Sequence, residues 1–579
     1  MNLEKPLLPS IACALVASTT VGIIATLYWI IGPGKLPVTL FSIWEFVWDL
    51  GFADPNSTCS IELACRASNL RELFADQMIR NHIILIVGAA MIGGAVAFIV
   101  NIAHAPLREV AQTILGNKLL YDADARRSFR RYLRKSGKID DQGLWLTPHV
   151  QLNSNAEASG ISVLGGHGSG KSGVTRALAG QILKRGGLTI INDAKGDVTA
   201  GLPQEDFILL AARSSMGWLW AIGRDITDPH AASELSIKFI PSELTGESVW
   251  PNSARSILSA LIESLQQEHG LAWGWEELYQ CVFQSSQRIH ARLNRIKSPA
   301  AEILEFDNQG NLNKTSQSIL LTLWIAALQS IRPISLLAQS VPKSRRFSIS
   351  EWLSPSSCLP KTIVLQHAAD YPILSTAVSG LLLEIVAGKI LAPSSPNRQT
   401  AWLHLILDEL HVLKHLERLP ELLSVGREKG VRCIIATQDW EQIEKIYGPE
   451  DSKILDARFR IKVVCQLGIC ETRNRVVKDF GGQRTTVEWD FAGENKPKTR
   501  RESQVSVIEH HQLSDELGVI KKGRKLNVRV AIFGLGSPGI LNIPFTSWPA
   551  RRPAHVPLPP RSSQTKTRTR PSSSSFKTK

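Results

Sequence analysis

Two long runs without a charged residue, Leu7 to Ile31 and Ile83 to Ile102, stand near the start of the 579-residue chain. A helix of about 20 apolar residues spans the ~30 Å hydrocarbon core of a bilayer. The pattern therefore predicts two transmembrane helices, at residues 7–31 and 83–102. Gly88, Gly93 and Gly94 in the second run suit close helix packing in a membrane. From about residue 150 the pattern changes to short apolar runs, at Ile161–Leu164, Leu188–Asn192 and Phe207–Leu210. These read as buried strands separated by helix or turn signals, the habit of an α/β fold. Gly173–Lys184 has helical spacing. Between Pro229 and Ser340 the period becomes helical throughout, at Ser253–Gln267, Trp275–Leu293 and Lys314–Ile331. Strand patterns return at Thr362–Leu365, Trp402–Leu407, Val431–Gln438, Arg460–Gln466 and Lys525–Phe533. Past Pro549 the chain is rich in Pro, Ser, Thr, Lys and Arg, which predicts a disordered basic tail. The expected organisation is a membrane domain (1–104, with loop 32–82), a basic segment (105–150), an α/β domain in two parts (151–228 and 341–548) split by an all-helical insertion (229–340), and a tail (549–579).

Charge sets the orientation of the predicted membrane domain. The segment after the second run carries Arg108, Lys118, Arg126, Arg127, Arg130, Arg131, Arg134, Lys135 and Lys138, whereas loop 32–82 is mixed and slightly acidic. By the positive-inside rule both termini are cytosolic and the loop faces outward, into the periplasm if the membrane is a bacterial inner membrane. Trp29, Trp44 and Trp48 lie where an interfacial belt would, and Cys59 and Cys65 fall where a disulfide is permitted. The eight cysteines show no zinc-binding spacing. The basic stretch Arg126–Lys138 reads as contact with anionic lipid or, alternatively, as a nucleic-acid collar. A net charge of +14 and a pI of about 9.4 favour polyanionic partners, against the plainer reading of a basic soluble surface. Trp273, Trp275 and Trp324 would stack on bases or, more simply, pack a core.

The chemistry is concentrated after the first α/β strand. Gly165-Gly166-His167-Gly168-Ser169-Gly170-Lys171-Ser172 fits the P-loop pattern at every fixed position, with a strand before it and a helix after it. Glycines let backbone N–H groups curl around phosphate oxygens, and the helix N-terminus adds partial positive charge. Lys171 is placed to reach the β- and γ-phosphates of ATP, and Ser172 to ligate Mg²⁺. The run Leu403–Leu407 ends in Asp408-Glu409, a Walker B arrangement in which Asp408 serves Mg²⁺ and Glu409 polarises the attacking water. His404, by alternation, points into the sheet as a core residue. Val431–Ala436 delivers Thr437-Gln438 to the same edge if the strands are neighbours, where Gln438 would sense phosphate or orient water. Arg427, read as closing a helix, has two readings: a finger into a neighbouring protomer's site, or a cation at a helix C-terminus. Asn192-Asp193-Ala194-Lys195-Gly196-Asp197 lies past a strand end, on the ligand edge of a doubly wound sheet.

These motifs, together with Trp218–Ile226, Leu407–Leu410, Gly426–Gly430 and Ala436–Gln438, resemble the coupling proteins of type IV secretion and conjugation, the TraD/TraG group. The resemblance covers most of the chain. It implies a RecA-like P-loop ATPase domain with an inserted all-α domain, assembled as a homo-hexamer on the inner membrane. It implies ATP and Mg²⁺ as cofactors, Glu409, Gln438 and Arg427 as catalytic residues, and Arg427 as the trans-acting finger. Its implied partners are DNA (the transferred single strand), a relaxase, secretion-channel components and membrane lipid. Alternatives are a double-stranded DNA translocase of the FtsK/HerA kind and a non-hydrolysing substrate receptor of the channel.

Overall fold

The computed structural model describes residues 111–557, apart from 139–142, 212–213, 241–248, 369, 399–401, 491–498 and 524; before residue 111 it describes only 3–4, 81, 84, 87–88, 91–96 and 108–109. The chain divides into two compact units, residues 1–115 with 485–504, and residues 116–484 with 505–579.

In the smaller unit, Ala111–Leu115, Gln483–Asp490 and Thr499–Ser506 form a three-stranded sheet, with the middle strand antiparallel to the first. The predicted membrane span at 7–31 and residues 32–80 of the loop after it lie outside the described residues. The described residues of the second run are helical, and Ile84, Val87, Met91, Ile92 and Val96 are exposed.

The larger unit is built on one eleven-stranded sheet. In chain order its strands are β1 (Leu120–Tyr121), β2 (Ile161–Leu164), β3 (Leu188–Asp193), β4 (Ile208–Ala211), β5 (Thr362–Gln366), β6 (Leu403–Asp408), β7 (Val431–Thr437), β8 (Ile461–Val464), β9 (Gly518–Lys522), β10 (Lys525–Phe533) and β11 (Gly539–Pro544). Spatially they run β1-β11-β10-β8-β2-β7-β6-β3-β5-β4, with β9 antiparallel to β10. From β8 to β4 every pairing is parallel. Parallel strands are covered on both faces, which explains their continuous apolar runs. Alternation divides β6 and β7 cleanly: Leu403, Leu405, Leu407, Val431, Cys433 and Ile435 enter one core, and Ile406, Ile434 and Ala436 the other.

Ten helices matter here: α1 (Asp122–Ser136), α2 (Lys171–Arg185), α3 (Pro229–Phe239), α4 (Val249–His269), α5 (Trp275–Val282), α6 (Ser286–Arg295), α7 (Lys314–Gln329), α8 (Ile331–Ala338), α9 (Pro372–Leu391) and α10 (Leu419–Ser424). α2 packs Val174, Leu178 and Ile182 on one face of the sheet; α9 and the block α3–α8 share the core of the other. The run Trp275–Leu293 divides into α5 and α6 because Ser285 caps a new helix by accepting from Arg288 N. The run Lys314–Ile331 is α7, which ends before Ser330, and α8 follows it directly. α9 is apolar and long enough to span a membrane, but 78% of its most apolar window is buried inside the protein, so it is a core helix.

Ala125, Phe129 and Leu133 of α1 are buried, which leaves Arg127, Arg130, Arg131 and Arg134 outward as an exposed basic face. Trp273 and Trp275 are buried, and the Trp324 indole donates to Val282 O, so all three tryptophans pack the helical block. The Trp218–Ile226 segment joins that block to the sheet: Asp225 accepts from Trp220 Nε1, Ile349 N, Ser350 N and Ser350 Oγ.

Residues 549–557 differ from the predicted tail. Arg551 N donates to Ala200 O, Gln366 Nε2 to Ala554 O and Ser215 N to Val556 O, while the Arg552 guanidinium lies 5.0 Å from the Phe207 ring centroid. Composition alone misses such backbone and stacking contacts. Residues 558–579 lie outside the described part.

Candidate active site

Register brings the site together. Thr437 of β7 pairs with Leu164 of β2, and Asp408 of β6 with Ala436 of β7, so three strands end side by side. The P-loop leaves β2 and is held from both sides: Gly165 N donates to Thr437 O, and Gly166 N to Gln466 O. Gly168 and Gly170 adopt left-handed φ of +73° and +92°. A Cβ at Gly170 would in addition meet the Val528 methyls at 2.7 Å. Ser169 Oγ closes the loop by donating to Gly166 O. α2 begins at Lys171; Gly173 N and Val174 N donate to Gly170 O, which leaves the amides of Lys171 and Ser172 at the helix N-terminus to face a ligand. His167 is exposed at the tip, and Ser172 is half-buried one residue beyond Lys171.

Lys171 is only 5% exposed. Its Nζ lies 2.7 Å from Glu409 Oε1 and 3.8 Å from Asp408 Oδ1. Gln438 Nε2 donates to the same Glu409 oxygen at 2.7 Å. Glu409 has a left-handed backbone, φ 49° and ψ 60°, a strained conformation for a residue with a side chain. Its N–H donates to Asp408 Oδ1, and Asn192 Nδ2 to Asp408 O, which pins the strand end. Glu409 Oε2 is buried with no hydrogen-bond partner. Burial alone would raise the Glu409 carboxyl, but the Lys171 charge and hydrogen bond, with Gln438, outweigh it and hold the group below its usual value. Asp408 moves the other way: burial, helped by Glu409 and Asp197, raises it against the pull of Lys171.

Asp193 does not face this cluster. It accepts from Gly196 N, Val198 N, Thr199 N and Thr199 Oγ1, and so shapes the loop that carries Lys195. Lys195 Nζ comes within 3.6 Å of Glu409 Oε1, and Asp197 pairs with Arg176. One residue of this site, His411, was not legible in the sequence. His411 Nδ1 is 3.7 Å from Glu409 Oε2, and burial lowers its pKa despite that carboxylate. Asn192 acts through the β6 backbone. The only signal of His411 is its position two residues past Glu409, whereas Asn192 opens the polar cluster expected on the ligand edge.

The structure does not bring Arg427 to the cluster. α10 ends at Ser424, so Arg427 closes no helix; it is exposed in a turn before β7, while Gln438 follows that strand. The strand's seven residues separate the two by roughly 23 Å.

The donor set fits a nucleotide with a divalent cation. It offers a glycine cradle, a buried lysine, a hydroxyl at Ser172, the Asp408 carboxylate and an orphaned Glu409 oxygen. Hard oxygen donors suit Mg²⁺, which is commonly held by one or two protein groups plus substrate phosphates.

A family described as the type IV secretion-system coupling protein DNA-binding domain matches residues 145–514. Coupling protein TraD of Escherichia coli (strain K12) is 25% identical over 327 residues, 55% of this chain and 42% of that protein. The chain thus spans less than half the length of this curated relative. The structure of the bacterial conjugative coupling protein TrwBdeltaN70 superposes with a TM-score of 0.61 at 18% identity, covering 77% of this chain and 96% of that one. TrwB in complex with ADP and Mg²⁺ gives a TM-score of 0.58 at 18% identity, covering 77% and 98%. At that identity the likeness establishes a shared α/β fold.

Proposed function

The chain belongs to the type IV secretion-system coupling protein family, and we propose that it is an inner-membrane ATPase that couples a relaxase–DNA complex to a type IV secretion channel. The observation that carries the proposal is the shared Glu409 oxygen, which holds both Lys171 and Gln438 at 2.7 Å. A phosphate-binding lysine and a water-polarising carboxylate neutralise one another until an anionic ligand competes for the lysine. ATP entering the P-loop draws Lys171 Nζ onto its phosphate oxygens. Glu409 then keeps Gln438, Lys195 and His411 as neighbours and is free to take a proton from the attacking water. Mg²⁺, for which Ser172 and Asp408 are the ligands, supplies charge neutralisation on the phosphates when bound. Arg427, a strand's length from its own Gln438, acts in a neighbouring protomer's site, which requires a ring; a homo-hexamer is the proposed assembly. TrwB binding ADP and Mg²⁺ on this fold supports the ligand assignment. The outward apolar side chains at 84–96 support membrane insertion. The transferred single strand of DNA, the relaxase and the channel components complete the proposed partners.

The test is a mating assay with Lys171→Ala and Glu409→Gln beside wild type, once each variant is shown to reach the membrane. Both should abolish transfer of a mobilisable plasmid and the DNA-stimulated ATPase activity of the purified protein. Wild-type transfer by Glu409→Gln would make hydrolysis dispensable and leave a receptor.

A further inference from the structure

A second charged cavity opens at the opposite edge of the same sheet, where β3, β6 and β7 begin. Its volume is about 390 Å³, within the ~300–1,000 Å³ of small-molecule sites. Among the described residues four permanent cations line it, Arg185, Lys361, Arg398 and Arg432, against one acid, Glu157. That acid is already committed: it binds Arg185 through both oxygens at 2.9 and 3.0 Å and accepts from Leu144 N. Arg432 is 7% exposed; Nη1 donates to the carbonyls of Arg427 and Val431, and Nε has no partner. His404, beside it on the same sheet face, is 2% exposed and neither ring nitrogen has a partner in hydrogen-bonding geometry. A buried polar group left unmatched costs on the order of 1–3 kcal/mol. Two such groups in one cavity, among cations in excess, suit an anionic ligand. The Arg398 guanidinium lies 4.1 Å from the Trp402 ring centroid, which adds a flat apolar wall beside the charge.

We propose that this cavity binds a phosphate-bearing ligand of nucleotide size, at a site separate from the P-loop. Arg398 and Lys361 at the mouth attract the phosphate, and Arg432 Nε with His404 meets it inside. The guanidinium fork suits phosphate oxygens, and Trp402 with Trp352 walls the organic part. The assignment does not depend on ATP hydrolysis at Glu409. The phosphate belongs either to a free nucleotide or to a DNA backbone.

The test uses the full chain carrying Lys171→Ala, titrated by calorimetry with ADP and, separately, with a thymidine hexanucleotide. One probe should bind at one per chain, and adding Lys361→Glu with Arg398→Glu should weaken it at least tenfold. ADP binding identifies a nucleotide site, and hexanucleotide binding a backbone-phosphate site. Should the glutamate pair fail to fold, Lys361→Gln with Arg398→Gln removes the charge without reversing it. No binding of either probe, or binding that the cavity substitutions leave unchanged, overturns the proposal.

Discussion

At the C-terminal edge of the sheet the buried Lys171 meets Glu409 at 2.7 Å and Asp408 at 3.8 Å; at the N-terminal edge the equally buried Arg432 meets only backbone carbonyls. Both edges interrupt apolar strands with charge on the same core. They differ in balance. Where cation and carboxylate face each other, the pair is stable without a ligand, and ligand binding becomes an exchange of partners. Where cations outnumber acids, the protein holds charge that only an incoming anion can match. The first arrangement suits a switch and the second a receptor site.

Substitutions that break this contrast should differ in size. The largest effect is expected from Arg427→Ala. If Arg427 completes a neighbour's site, ATP turnover of the assembled protein should fall about 10⁴-fold while nucleotide affinity of the single chain stays unchanged. A change in affinity with normal turnover would return Arg427 to a surface role. Next comes Glu409→Gln, for which turnover should drop about 10³-fold with nucleotide still bound. Nucleotide should also bind more tightly, because Lys171 no longer has to leave a carboxylate.

At the other edge, Glu157→Gln removes the acid paired with Arg185. Chemical denaturation should show a loss of about 3–4 kcal/mol, with stronger binding of the anionic probe. A neutral result would show that Glu157 does not offset the cluster. The smallest effect concerns His404, whose pKa is pushed down to about 4, first by burial and then by the charges of Arg185 and Arg432. The unfolded chain takes up that proton near pH 6.5 and the folded chain does not. The folded state is therefore at full strength above pH 6.5, and stability falls as pH drops from 6.5 toward 4, by about 2–3 kcal/mol. His404→Leu should remove that segment of the stability–pH curve, and its persistence would point to another group.

The first edge was largely legible. P-loop chemistry fixes its residues within a few positions of one another, so Gly165–Ser172 and Asp408-Glu409 declare themselves in one dimension. Thr437-Gln438 became readable only by assuming adjacent strands, an assumption met by the pairing of β6 with β7. The second edge was not legible. Arg185, Lys361, Arg398, His404 and Arg432 have no shared spacing, and His404 alone reads as a core histidine. The break at Ser285 was missed because a cap overrides an otherwise continuous helical period.

The sequence by itself determined the glycine-rich loop between strand and helix, the parallel-sheet character and the run of helices between the two groups of strands, because each is set by local spacing or by a period of apolar residues. Only the tertiary structure decided what an apolar helix is for. α9 has a mean hydropathy of 1.7 over its most apolar window and is buried in the core, whereas Ile84 and Met91 of the second N-terminal run are 64% and 68% exposed. Hydropathy measures what a helix must hide from water, but the neighbours that hide it come from distant parts of the chain. The same holds for charge: composition counted an excess of cations, and only folding placed four of them around one cavity.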